Sequence, residues 1–342
     1  MRITDLRPTR LPDHLRDQRL LFIAKHARWA GGLHPEDGNH AVYHREMREM
    51  LEGLGLPLLI ADSYAALFDA PAADFVFPLL NRGGFFNSEM LVPLLCNRLG
   101  LPYLGASPIV RGLSDDKHLT KLEAAARGVP TAPWALFRRG APVDVSRCPP
   151  ARRWVIKPNN SSASWGVRDA HDRADLARAI AGIHALDHDA IVEPFIDGSD
   201  VEVPVITLDG EPAMLPMIIF EQEDPADLRT YQEKRDLAAG GSGYALKLFD
   251  DARLAVRIAD YAARMADVFH PFDYGRIEFR LDAATGDIRL LEVNLNCNLW
   301  SQKTIGQAAV AAGFTQADLI ETIVAESMIR QVGARGARRD AA

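Results

Sequence analysis

Apolar positions along the chain change period several times, and the changes mark elements. Residues 20–24, 57–61 and 75–79 are short apolar runs that read as strands. Between and after them, 43–54 and 88–99 repeat apolar residues every three or four positions and read as helices. Strand, helix, strand, helix with short connections predicts an open parallel sheet. Residues 100–105 add one more short strand and a turn, and 114–127 reads as a helix with Ser114 at its N-cap.

A second unit opens near residue 110. It holds a strand at 153–157, a loop of Asn, Ser and Gly, a helix at 173–186 and a strand at 190–194. Strands at 202–208 and 213–220 follow, then a polar stretch at 221–245 that is too long for a mere connection and reads as a lid or a disordered loop. Residues 252–269 form an amphipathic helix, and 275–281 with 288–293 form a hairpin across 282–287. The first nineteen residues, rich in Arg, Asp and Pro, read as a loose arm, and the tail after Met328 as frayed. The expected class is α/β, α+β in part.

Composition narrows the function. With 342 residues, 48% hydrophobic and 25% charged, the chain is a folded protein with room for two or three units. A net charge of −7 argues against a nucleic-acid surface. No apolar run approaches the roughly 18 residues of a membrane helix, and Leu20 to Ala24 is too short for a signal peptide, so a cytoplasmic protein without a membrane partner is expected. Cys96, Cys148 and Cys297 lack CxxC spacing, so neither a disulfide framework nor a zinc site is encoded.

Three local patterns carry candidate chemistry. On the hairpin, side chains two apart share a face, so Arg276, Glu278 and Arg280 project together, as do Glu292 and Asn294. Two acids and an amide supply the oxygen ligands that Mg²⁺ takes beside substrate phosphates. In the second pattern, Lys157 ends an apolar strand before Asn159-Asn-Ser-Ser-Ala-Ser-Trp-Gly166, whose donors suit phosphate, although such a loop taken alone is more often a plain turn. In the third, Glu193 ends an apolar strand before Pro194-Phe-Ile-Asp-Gly-Ser-Asp200, by itself a capped turn.

The order of these pieces is more specific than any one of them. Lys117, Lys157, the Ser-rich loop, Glu193, the long polar stretch, Arg276-x-Glu278 and Glu292-Val-Asn294 together resemble the ATP-grasp superfamily and, within it, the D-alanine–D-alanine ligase family. The resemblance covers about residues 75 to 325. Its most specific part is Tyr274-Gly-Arg-Ile-Glu-Phe-Arg-Leu-Asp282 with Leu290-Leu-Glu-Val-Asn294, similar to that family's metal-binding hairpin. Gly100-Leu-Pro-Tyr-Leu-Gly105 with Asp115-Asp-Lys117-His-Leu-Thr-Lys121 is similar to the stretch joining its first two domains.

The resemblance implies an ATP-grasp fold of three subdomains, with ATP held between the central and C-terminal ones. The implied division is an arm at 1–19, an N-terminal domain at 20–108, a central subdomain at 109–194, a C-terminal subdomain at 195–330 with its lid at 221–245, and a flexible tail at 331–342. It further implies that Lys117, Lys157, Ser162 and Ser164 contact ATP phosphates. Pro194, Phe195 and Ile196 would lie along adenine, with Glu193 and Asp200 on its amino group and the ribose. Glu278, Glu292 and Asn294 would hold two Mg²⁺, or Mn²⁺, Arg276 would stabilise an oxyanion, and Lys234 would come from the lid. A homodimer acting on small-molecule carboxylates and amines is implied as well.

The chain also departs from the family. The first strand runs into Lys25-His-Ala-Arg-Trp-Ala-Gly-Gly-Leu-His-Pro-Glu36, without the family's Gly-rich, Glu-containing donor motif. Cys297-Asn298 stands where the family has Pro-Gly, and Lys303 where a serine binds the acceptor. The expected activity is therefore an ATP-dependent carboxylate–amine ligase working through an acyl phosphate, whose substrates need not be D-alanine. The alternatives are an authentic cell-wall D-alanine–D-alanine ligase and a non-catalytic nucleotide-binding protein. His26, His34 and His40 are candidates for a general base, each read first as a surface or packing residue.

Overall fold

The computed structural model describes residues 3–79, 90–161, 164–222, 228, 244–295 and 297–339. Three sheets organise them. The first is parallel, in the order β2 (Leu58–Ala61), β1 (Leu20–Ile23), β3 (Phe75–Pro78), flanked by α1 (Asn39–Gly53) and α2 (Leu91–Leu99). The burial of all four residues of β1 and of β3 explains their uninterrupted apolar runs. The segment at 100–105 contributes a single parallel bridge, Tyr103 to Val76.

The expected helix at 114–127 is two helices, α3 (Pro108–Asp115) and α4 (Lys117–Ala126). Ser107, not Ser114, caps the first, ahead of Pro108, and Asp116 caps the second by accepting from the Leu119 amide at 2.9 Å. An acidic cap inside an apolar period breaks the helix without breaking the pattern.

The second sheet is antiparallel, in the order β4 (Ala135–Phe137), β7 (Ala190–Pro194), β5 (Trp154–Pro158), β6 (Arg168–Ala170), covered by α5 (Arg173–His184), and it has a core of its own. The third runs β11 (Tyr244–Leu248), β10 (Ile218–Gln222), β8 (Gly198–Leu208), β12 (Tyr274–Asp282), β13 (Ile288–Asn294), with β9 (Glu211–Met214) paired to β8. The strand expected at 213–220 is thus split, because Pro216 has no amide for a ladder and Leu215 turns its own to Pro204. Helix α6 (Ala252–Phe269), capped by Asp251, packs on this sheet. Most of the polar stretch at 221–245 lies outside the described residues; its flanks, β10 and β11, pair antiparallel with Gln222 opposite Tyr244.

The chain ends in α7 (Thr304–Ala311) and α8 (Gln316–Arg339), and α8 crosses the region expected to fray. Arg330 donates to Asp273, and the side-chain amide of Gln331 exchanges hydrogen bonds with the backbone of Tyr103. The N-terminal arm is fixed too: Leu11 and Leu15 are buried, Thr9 bonds Thr322 and Glu326, and the Leu11 amide donates to Glu321. Both ends are polar in sequence because they find partners far along the chain, the arm on α8 and the tail on Asp273 and Tyr103, which a local pattern does not reveal. No single helix among the described residues is long and apolar enough to cross a membrane.

Candidate active site

The site is built on the sheet face shared by β8, β12 and β13. Register places Glu202 opposite Glu278 and Glu278 opposite Glu292, so three carboxylates form one row across three strands. Like charges directly opposite each other destabilise a sheet unless cations or hydrogen bonds hold them. Here Arg276 sits between the first two, at 2.7 Å from Glu202 and 3.0 Å from Glu278. The Asn294 amide donates to Glu278 and, at 3.1 Å, to Glu292, while Lys117 approaches Glu292 at 3.5 Å.

A bulge makes the row possible. Glu278 pairs with Glu292 but Phe279 pairs with Leu290, which leaves Leu291 as an extra residue on β13. Leu290 and Val293, three apart, are therefore both buried in the core, while Glu292 and Asn294 stay on the site face. On β12, which stays regular, Arg276, Glu278 and Arg280 share the face as expected. Arg280, however, leaves the acidic row to pair with Asp200 at 2.9 Å and to donate to the Ile196 carbonyl.

Arg276 is held further above the ordinary arginine value: burial opposes its charge, but Glu202 and Glu278 more than offset this. Its buried Nε has no hydrogen-bond partner among the described residues, and Nη1 also lies 3.5 Å from the Thr304 hydroxyl at the start of α7. A spare, fixed donor is what an oxyanion requires. Beside it Cys297 is inert, since burial pushes its thiol up to about 12.

The second wall is the β5–β7 edge with α4. Glu193 accepts from Lys157 on one oxygen at 2.6 Å and from Lys121 on the other at 2.7 Å. Burial would raise its pKa, but the two lysines win and hold it at about 2. The Lys117 ammonium donates to the Ser161 carbonyl, so helix α4 points two lysines, four residues apart, into the site. Phe195 lies under the Arg153 guanidinium at 4.0 Å and near that of Arg280. Ser164 occupies a left-handed turn that also uses Gly166, where a Cβ would strike Pro158. Ser162 and Lys234 lie outside the described residues.

Lys303 stands at the N-cap of α7 without a side-chain cap, one residue before Thr304. The loop leading to it is tied to α1, because Glu46 accepts from Trp300 Nε1 and from the Ser301 amide and hydroxyl. Asn298 accepts from the Trp300 amide at 2.7 Å. The three candidate histidines are not among these groups: His26 and His34 lie between β1 and α1, and His40 on α1. His26 meets Asp37 at 2.8 Å, the Nδ1 of His34 accepts from two backbone amides, and burial holds nearby His44 neutral with a pKa of about 3. Ligand atoms of His26, His34 and Asp37 lie within 4.8 Å of one another, but these hydrogen bonds already engage them.

Lys121, Glu202, Glu46 and Thr304 join the site without having been assigned a role from sequence. Two had a signal. Lys121 lies four residues after Lys117 on one helix, and Glu202 two after Asp200 on one strand. Glu46 and Thr304 are brought in only by long-range packing.

A family model for the D-ala D-ala ligase C-terminus matches residues 124–325, more than half of the chain. The chain belongs to the D-Ala-D-Ala ligase family. Its fold is the ATP-grasp fold, and the family is one of ATP-dependent amide-bond ligases. An uncharacterized protein, y4sG, of Sinorhizobium fredii is 33% identical over 236 residues, 68% of each chain. A D-alanine–D-alanine ligase of Synechococcus sp. is 26% identical over 321 residues, 90% of this chain and 95% of that one. Among solved structures, the Bacillus anthracis D-alanine–D-alanine ligase complexed with ATP superposes with a TM-score of 0.73 at 18% identity, covering 93% of this chain and 99% of that one. The VanG D-Ala:D-Ser ligase of Enterococcus faecalis gives 0.69 at 15%, covering 91% and 99%. At such identities these two show a shared fold.

Proposed function

We propose that this family member joins the carboxylate of one small molecule to the amine of another, using ATP and Mg²⁺ and passing through an acyl phosphate. The observation that carries the reading is the row Glu202–Glu278–Glu292 with Lys117 at 3.5 Å from Glu292, beside a second wall where Lys157 and Lys121 pair with Glu193. Three negative charges on one strip, with Arg276 and Lys117 as the nearest cations, fit a site for divalent metal, and Asn294 presents its oxygen after a half-turn of its amide. Glu278, Glu292 and Asn294 would hold Mg²⁺, which would supply neutralisation of the phosphate charge.

The chain's own groups do the rest. Lys117 and Lys157 hold the phosphates, Phe195 and the backbone from Pro194 to Ile196 lie along the base, and Glu193 and Asp200 orient the nucleoside. The γ-phosphoryl group passes to a carboxylate oxygen of the donor and ADP leaves. The amine nitrogen then bonds to the acyl carbon, Arg276 steadies the oxyanion, the carbon–oxygen bond to phosphate breaks, and the amine gives up a proton as the amide forms.

The acceptor is the point at which this chain differs. Lys303 is long and cationic, and a cation at this position binds a carboxylate more strongly than a hydroxyl does. Lys303 changes the charge and Asn298 the space around the acceptor, so in this proposal D-alanine is a poor acceptor and the true one, such as a larger amino acid, presents a carboxylate or another anionic group to Lys303. A panel of D- and L-amino acids, assayed for ATP-dependent phosphate release with mass detection of the product, tests the reading. Efficient D-alanyl-D-alanine synthesis would refute the acceptor proposal and favour a cell-wall ligase. Absence of turnover with intact ATP binding would favour a nucleotide-binding protein without catalysis. A cytoplasmic homodimer belongs to the same proposal; sedimentation of the purified protein checks the dimer, and fractionation of cells that make it checks the location.

A further inference from the structure

Two lysines four apart on a helix repel each other, and each loses hydration on burial, yet Lys117 and Lys121 are 6% and 1% exposed. Lys117 faces the acidic row and the Ser161 carbonyl, which accounts for it. Lys121 meets neither. Its ammonium has three acceptors: Glu193 Oε1 at 2.7 Å, the Thr131 hydroxyl and, at 3.2 Å, the Ala132 carbonyl. All three of its donors are therefore engaged, and no donor remains for a ligand. Lys157, on the other oxygen of Glu193, has a side chain 16% exposed.

We propose that Lys121 is a positioning residue that holds Glu193 in place and offsets its charge, so that Lys157 keeps an effective positive charge for the polyphosphate. This rests on the reading of the cleft as an ATP site. One carboxylate between two ammonium groups leaves a net charge of one positive unit. The immobile lysine anchors the carboxylate, and the more exposed one exchanges it for a phosphate oxygen. Without Lys121 the carboxylate turns wholly to Lys157, and a phosphate must then compete with a full buried ion pair. The structural alternative is an ion pair that merely joins α4 to β7.

The proposed role makes nucleotide affinity depend on Lys121 through the Glu193 carboxylate, whereas an ion pair that only joins α4 to β7 leaves that affinity unmoved. Binding of the β,γ-methylene analogue of ATP with Mg²⁺ is measured by calorimetry for the unmodified protein, Lys121→Met, Glu193→Gln and the double variant. Lys121→Met should weaken binding by about tenfold. In the double variant the competing carboxylate is gone, so its affinity should stay within about twofold of Glu193→Gln alone. Unchanged affinity in a folded Lys121→Met protein would overturn the proposal. So would a double variant about tenfold weaker than Glu193→Gln, because Lys121 would then act on binding without the carboxylate it is proposed to anchor. Should Lys121→Met not fold, the double variant, which carries no unpaired charge at these two positions, decides by that second comparison. Absence of binding by the unmodified protein would overturn the ATP reading and this inference together, whereas binding that ignores Lys121 would overturn this inference alone.

Discussion

Replacing Arg276 by lysine keeps the charge and removes the geometry. The guanidinium reaches Glu202 with Nη1 at 2.7 Å and Glu278 with Nη2 at 3.0 Å, two carboxylates on neighbouring strands that are 2% and 4% exposed. One ammonium serves one of them. The other is left as a buried charge, and breaking such a pair costs about 3–5 kcal/mol, so a loss near the lower end, about 3 kcal/mol, is expected because Asn294 still donates to Glu278. Divalent metal should restore part of that loss, since the proposed site neutralises Glu278. Loss of one oxyanion donor should independently lower kcat by about 10²–10³ while leaving KM for ATP close to that of the parent. Urea unfolding with and without MgCl₂, beside steady-state kinetics on the substrate pair found by screening, measures all three. A variant as stable as the parent, or one whose stability ignores Mg²⁺ while kcat is intact, would refute the reasoning about the row.

Three further outcomes follow from particular distances. Glu193→Gln should cost stability at neutral pH: a carboxylate held at about 2, below its unfolded value of 4.5, stabilises the fold above pH 4.5 and ceases to as pH falls through about 2. The difference in unfolding free energy between parent and variant should therefore shrink across that window, and a constant difference would contradict the pairing. A Cβ on Gly275 would lie 2.8 Å from the Asn294 carbonyl, so Gly275→Ala should displace Asn294 and reduce turnover at limiting Mg²⁺ more than at saturation; equal losses at both would count against Asn294 as a ligand. Lys117→Ala and Lys157→Ala should each raise KM for ATP and lower kcat, and unchanged ATP kinetics in either would remove that lysine from the site.

What was legible in the sequence depended on the range of the interactions involved. Strands β1, β3 and β7 and helix α6 follow from apolar period alone, since the residues that pattern them also bury them. The hairpin was legible from the parity of Arg276, Glu278, Glu292 and Asn294, but its bulge at Leu291 was not, because a bulge shows only when two strands are paired. Asp116 between α3 and α4 reads locally as one more polar position in a helical stretch. Leu11 and Leu15 lie in a charged, Pro-containing segment whose partners, Thr322, Glu321 and Glu326, sit more than 300 residues away. For the same reason Glu202 and Lys121 gained a role only when the sheet and α4 brought their partners to them.

The central claim is that a carboxylate is activated by phosphoryl transfer. Amino acids labelled with ¹⁸O in their carboxylates, mixed with ATP, Mg²⁺ and the protein, test it directly by mass analysis of the phosphate released. An acyl phosphate requires that the carboxylate oxygen leave with the phosphorus, so each amide formed should be matched by a phosphate carrying one ¹⁸O. Amide formation with unlabelled phosphate, or phosphate release without any amide across the whole set of amino acids, would contradict the account.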